Sequence, residues 1–189
     1  MPILDFSLPG LDKKILSGEK NSTTRLFKPF ALQLLPHYKT LYLLWRGKTK
    51  ERRVLGVAQL TNLFFLEIQY YSTRFYSLEA VAKSYNYSTV EQCFSVLTKD
   101  VGYRVWTAEI TEEVLLNLDA HFARGGRGLE WQLMDHEWVA DYVRKEGFDG
   151  WSETDFLFPF LLQQKEMTDD FFYVVEWDRL VSQPQQEVI

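Results

Sequence analysis

The chain has 189 residues, enough for one domain with an insertion or two small ones packed together. Hydrophobic residues make up 46% and aromatics 16%, which supplies a core and favours a strand-containing fold, because flat rings pack well on pleated sheets. A net charge of −5, a single cysteine (Cys93) and the lack of any long apolar run argue against a general nucleic-acid coat, an internal disulfide, a zinc–cysteine cluster and a membrane-spanning helix.

The charge is unevenly spread. Residues 1–53 carry eleven Lys and Arg against four Asp and Glu, a balance of +7, whereas residues 54–189 carry ten against twenty-two, a balance of −12. A basic first quarter on an acidic chain suits one phosphate, nucleotide or short RNA segment, or simply opposite charges facing each other across the fold. His37, His121 and His136 show no pairing at metal-ligand spacing, so neither a metal site nor a cofactor is expected. The first residues show no charged-then-apolar signal pattern, and a soluble cytoplasmic protein is the expectation.

In chain order, "LPGLDKKILSG" predicts a short helix, with Leu8, Leu11 and Ile15 on one face and Gly18 as its stop. "TLYLLWR" and "RVLGVAQLTNLFFLEI" predict strands joined by the turn "GKTKER", with Gly56 as a candidate bulge. "SLEAVAKS" and "STVEQCFSVL" predict helices broken at "YNY", and "YRVWTAEI" a further strand. "TEEVLLNLDAHFA" predicts a Thr-capped helix, "ARGGRG" a loop, and "LMDHEWVADYVRKEG" a helix capped by Asp135 and stopped by Gly147. "FFYVVEW" reads as a central strand, and the tail "VSQPQQEVI" as a fraying end. Helices bunched between strands, outside a regular β-α-β alternation, indicate an α+β fold.

The stretch "GEKNSTTR" at 18–25 bears the chemistry. In an extended segment Thr23 and Arg25 share a face, and a preceding turn can bring Lys20 to it. An ammonium, a hydroxyl and a guanidinium fork suit a phosphate or carboxylate, and a Lys–Thr pair suits base and nucleophile. On spacing alone, the ordinary reading of such a stretch is a polar loop after a helix end.

Gly18-x-Lys20-x-x-Thr23-x-Arg25 after a short N-terminal helix resembles the signature of the ASCH family. "RVLGVAQLTNL" is similar to that family's core hairpin and "DDFFYVVEWDRL" to its closing strand. "YVRKEGFDGWSETDF" resembles a further family feature, a helix ending in an acid, then Gly and an aromatic, here Glu146-Gly147-Phe148. "AVAKSYNYSTVEQ" echoes the same feature with Tyr85 at the acidic position. Taking the second copy as the match makes residues of about 72–130 an insertion. The resemblance implies a single domain over 1–189, a PUA-like small β-barrel with surrounding helices and a helical insertion. It also implies binding of a nucleoside, nucleotide or short RNA.

One bacterial group within the superfamily hydrolyses N4-acetylcytidine with a Lys, a Thr and a Glu. Carried over, these are Lys20, Thr23 and Glu146, with Gly18, Arg25, Arg46 and Phe148 as binding residues. Ribonuclease activity through the same cationic groups is a related expectation. Two other readings stay open: a non-catalytic RNA-binding module resting on Lys20, Arg25 and the basic turn of Arg46, Lys48, Lys50, Arg52 and Arg53, and a protein-interaction domain built on the insertion. Arg124 and Arg127 read as an exposed loop edging the site, and Trp45 and Trp151 as core aromatics or base-stacking rings.

Overall fold

The computed structural model describes residues 3–26, 40–46, 52–72, 74–93, 101–123, 128–165 and 172–181. They form a mixed α+β structure around a seven-stranded sheet. Its organising element is β4 (Arg52–Ser72), a strand of 21 residues. Fully extended, such a strand would reach about 70 Å. A compact 189-residue chain has a radius of gyration of about 16 Å, so β4 has to bend. Two irregularities supply the bend. Leu55 is unpaired where the register steps from Leu43–Gly56 to Leu44–Val54, and Thr61 where it steps from Leu60–Trp177 to Asn62–Glu176. The first lies beside Gly56, as its glycine suggested, and Leu180 packs over that glycine, where a Cβ would lie 3.3 Å from Leu180 Cδ2.

The pairings of β4 set the layout. Its first half pairs antiparallel with β3 (Thr40–Arg46), which pairs parallel with β1 (Ile3–Phe6). Its second half pairs with β5 (Val101–Glu109), which carries the two-residue β6 (Gln132–Leu133). Val57 lies opposite Tyr42 on one side and bonds to Val181 on the other, and Phe64–Leu66 pair with both β5 and β7 (Phe172–Trp177), so β7 runs along the edge opposite β3 and β5. Beyond β7 lies β2 (Ser22–Leu26). Hydrogen-bonded on both sides and buried at every position, β7 is the central strand that its aromatic and β-branched run predicted.

Alternation along β7 divides the interior in two. Tyr173, Val175 and Trp177 join a core with Phe6, Ile15, Leu41, Leu43 and Phe65, under α1 (Leu11–Ser17). Phe172 and Val174 join a second core with Val139, Tyr142, Val143, Phe156 and Leu157, from α5 (His136–Lys145) and α6 (Glu153–Lys165). The remaining helices are α2 (Leu78–Ser84), capped by Ser77, α3 (Glu112–Leu116), capped by Thr111, and α4 (Leu118–Ala123). The helix expected over 111–123 is thus interrupted at Asn117, whose side chain turns back to the Glu113 carbonyl. Of the helix expected over 88–97, a 3₁₀ turn at Glu91–Cys93 is seen, and the rest lies outside the described residues.

The expected barrel closure is not observed. Among the described residues β1 and β2 form no ladder; a side chain spans the gap, Arg25 donating to the Asp5 carbonyl with its guanidinium 5.2 Å from the Phe6 ring. Within the region expected as an insertion, β5 makes a nine-residue ladder with β4, and Val105 enters the second core. Among the described residues no helix is long and apolar enough to cross a membrane.

Candidate functional site

The site is built where "GEKNSTTR" meets the end of α5. Gly18 ends α1 in the left-handed conformation, at φ 79°, and the chain turns back so that the Lys20 amide bonds to the Lys14 carbonyl. The next amide, that of Asn21, bonds to the Lys145 carbonyl and docks the loop against the C-terminus of α5. That helix ends in a Schellman motif, with the Gly147 amide on the Arg144 carbonyl and the Phe148 amide on the Val143 carbonyl. Gly147 is doubly constrained. Its φ is 87°, and a Cβ there would lie 3.1 Å from Lys20 Cβ and 3.3 Å from Lys14 Cδ.

This docking brings Lys20 and Glu146 together across 126 positions. Their side chains meet at 2.8 Å, with the residues only 3% and 4% exposed. Lys20 Nζ donates to Glu146 Oε2 at 2.8 Å, the Glu146 carbonyl at 2.8 Å and the Ser22 carbonyl at 2.6 Å, using all three ammonium donors. Burial holds this lysine below its ordinary 10.5, with Arg25 and Lys14 acting in the same direction and Glu146 opposing. Glu146 Oε1 accepts from Thr24 at 2.7 Å and from Ser22 Oγ at 3.3 Å. Because an ionised carboxylate can only accept, Thr24 donates to it and receives the proton of Tyr142, whose hydroxyl touches Thr24 Oγ1. Desolvation, and then the charge of Glu146, raise Tyr142 well above 10 and keep that hydroxyl protonated.

Thus the acid beside Lys20 is Glu146, while Tyr85 packs with Leu78, Val81 and Val90 in a separate cluster. The threonine hydroxyl on that acid is that of Thr24 rather than Thr23, beside that of Ser22. The register explains this. Ser22 and Thr24 pair with Glu176 and Val174 on the α5 side of the sheet, whereas Thr23 and Arg25 pair with Val175 and Tyr173 on the other. Thr23 and Arg25 do share a face, as the sequence indicated, but Lys20 shares its partner with Ser22 and Thr24.

A cavity of about 410 Å³ opens at this junction, in the gap between β1 and β2. Lys20, Thr23, Thr24, Arg25 and Glu146 line it, so the expected residues converge even though Thr23 does not touch the pair. Its other walls are mostly apolar, among them Phe6, Phe148, Trp151, Phe156 and Phe160. Arg25 Nε is buried there with no partner among the described residues. Phe148 is half-buried, with Lys14 Nζ 5.6 Å from its ring centroid and Trp151 stacked edge-on at 5.0 Å.

The remaining expectations fall elsewhere. Gly18 does not line the cavity and serves as the helix stop. Arg46 does not line it either; it holds Asp5, which does. Arg53 pairs with Asp12 at 2.7 Å, and Trp45 packs against the first core. Lys48, Lys50, Arg124 and Arg127 lie outside the described residues. Missed from sequence were Ser22, Thr24 and Tyr142. The last had a signal, since positions 142 and 146 are one helical turn apart and share a face of α5. No protein-family model, no curated protein and no solved structure matches this chain.

Proposed function

We propose that this cavity binds a nucleoside-like ligand and hydrolyses the amide of an N-acylated nucleoside, of which N4-acetylcytidine is the test case. The observation carrying the proposal is the buried Lys20–Glu146 pair lining a cavity of about 410 Å³ that is also lined by two threonines and aromatic rings. In the proposed reaction a threonine oxygen adds to the amide carbonyl, and its proton passes to the lysine–glutamate pair. The carbonyl oxygen takes the negative charge beside Arg25. Collapse of the adduct expels the amine, protonated by the same pair, and water then cleaves the threonine ester. A lysine lowered by burial supports the base role. The resemblance to the ASCH family, in an open PUA-like arrangement with the insertion at about 72–130 and a cytoplasmic setting, belongs to the same proposal and rests on the quoted motifs.

The motif points to Thr23 as nucleophile and the contact to Thr24. Thr23→Val and Thr24→Val assayed with Lys20→Ala and Glu146→Gln on N4-acetylcytidine separate the two. Turnover should vanish in Lys20→Ala and Glu146→Gln and in one threonine variant only. Full activity in any correctly folded Lys20 or Glu146 variant sinks the mechanism.

A second reading is a binding module without chemistry, for a nucleoside, nucleotide or short RNA. What favours it is the saturation of Lys20, all of whose donors are engaged in joining β2 to α5. Binding without turnover across a panel of acylated nucleosides would select it, and titration with short RNA at two salt concentrations would then measure its charge dependence.

A further inference from the structure

A second cavity, of about 520 Å³, lies on the other side of Phe148 and Trp151, which line both. Three donors from three elements converge in its lining. They are Tyr103 of β5, His136 at the first position of α5 and Glu153 at the first position of α6. His136 Nδ1 is 3.2 Å from Tyr103 Oη and 3.2 Å from Glu153 Oε2, and its ring is 85% exposed, so the group is open to solutes.

We propose that His136, Glu153 and Tyr103 form a binding site for a borderline first-row divalent cation of the nickel, copper or zinc type, with its remaining positions open to the cavity. The spacing carries this. Metal–donor bonds of about 2.0–2.1 Å place neighbouring ligand atoms about 3.3 Å apart around a tetrahedral centre and about 2.9 Å apart around an octahedral one. The two 3.2 Å separations fall between these values. Hydrogen bonding alone either shares one Nδ1 proton between two oxygens or, with Tyr103 donating to an unprotonated Nδ1, sets that nitrogen's lone pair against the Glu153 carboxylate, whereas a cation engages a lone pair on all three atoms. The donor set selects the ion: imidazole with carboxylate favours the borderline metals, while calcium and magnesium seek shells of oxygen. Arg144, the nearby cation in the lining, is held by Asp141 and leaves Glu153 available. Asp149 adds a second carboxylate to the same wall.

Among the described residues no three of His, Cys, Asp and Glu gather at metal-binding distance, and the third donor here is a tyrosine. The histidine spacings, which gave no reason to expect a metal, are blind to such a site because its residues come from β5, α5 and α6. The proposal is independent of hydrolysis at the first cavity.

The test is calorimetric titration of untagged, chelator-treated full-length protein with zinc chloride and, separately, nickel chloride. Tryptophan fluorescence is read alongside, because Trp151 lines the cavity. One ion per chain should bind, and His136→Ala, Glu153→Gln and Tyr103→Phe should each weaken binding, the first two by about tenfold or more. Glu153→Gln is isosteric, and an unchanged circular dichroism spectrum separates lost ligation from lost folding. No binding at millimolar metal, or binding left unchanged by any of the three substitutions, overturns the proposal.

Discussion

Lys20→Met asks how much the buried pair matters, and the geometry sets the expected size. The substitution keeps the aliphatic stem but removes the cation from a carboxylate that is 4% exposed, leaving Glu146 with two hydroxyl donors and no counter-charge. It also strips the Ser22 and Glu146 carbonyls of their donor. Breaking a buried pair from one side costs about 3–5 kcal/mol. For a chain of this length each kcal/mol lowers Tm by about 2–4 °C, so a fall of roughly 6–20 °C is expected. Replacing the carboxylate as well, in Lys20→Met/Glu146→Gln, removes the stranded charge and keeps an acceptor for Thr24. The double variant should therefore be more stable than Lys20→Met alone, by about 2 kcal/mol. Urea denaturation followed by circular dichroism gives the three differences needed. If Lys20→Met lies within about 1 kcal/mol of wild type, or the second substitution rescues nothing, the carboxylate is solvated and the pair does not do what its burial implies.

The same lysine makes a prediction about pH. Burial lowers it in the folded chain, so between that value and 10.5 the unfolded chain binds more protons, and the residue's contribution to stability rises as pH rises through the window. The stability gap between wild type and Lys20→Met should widen from neutral pH towards about 10; a constant or narrowing gap refutes the lowered value. Tyr142→Phe removes only the proton donated to Thr24, whose own bond to Glu146 survives, so a loss of about 0.5–1.5 kcal/mol is expected by urea denaturation. A loss above about 3 kcal/mol would mean that the hydroxyl supports more than this bond. Gly147→Ala places a Cβ against Lys20 and forces a side chain into the left-handed region, for about 1–3 kcal/mol by thermal melting. An unchanged Tm would show that the loop does not hold this close approach.

What was legible in the sequence was local. α5 could be delimited because Asp135 at its start and Gly147 at its end are chemical signals within a few residues of the boundaries they set. β7 was readable because burial on both faces writes itself as a continuous apolar run. α6 was not, since "ETDFLFPFLLQQK" is apolar at too many positions to show a stripe and contains Pro159, which argues against a helix interior. β1, four residues long, owes its state to its partner β3 rather than to its own composition. At the site, Lys20 and Glu146 could be named only through motif resemblance. The identity of the threonine could not be, because a Thr-Thr doublet gives each face of a strand one hydroxyl, and only the pairing with β7 decides which faces α5.

The structural role of Lys20 is compatible with the base role proposed for it. A protonated lysine has three donors, and here each has an acceptor, two of them main-chain carbonyls that tie β2 and the end of α5 to the same nitrogen. A neutral amine retains two N–H groups and gains a lone pair. It can keep both carbonyl bonds and surrender only the contact with Glu146 Oε2. Deprotonation therefore costs the ion pair but leaves the junction between strand and helix tied. The direction released is the one towards Glu146 Oε2, on a carboxylate that lines the cavity and accepts from Thr24 at its other oxygen, and in the proposed reaction a substrate proton would be received there. In the proposed hydrolysis the clamp would hold the nitrogen in place while its third direction changes from donor to acceptor, the rigidity that a base on a short polar loop would otherwise lack.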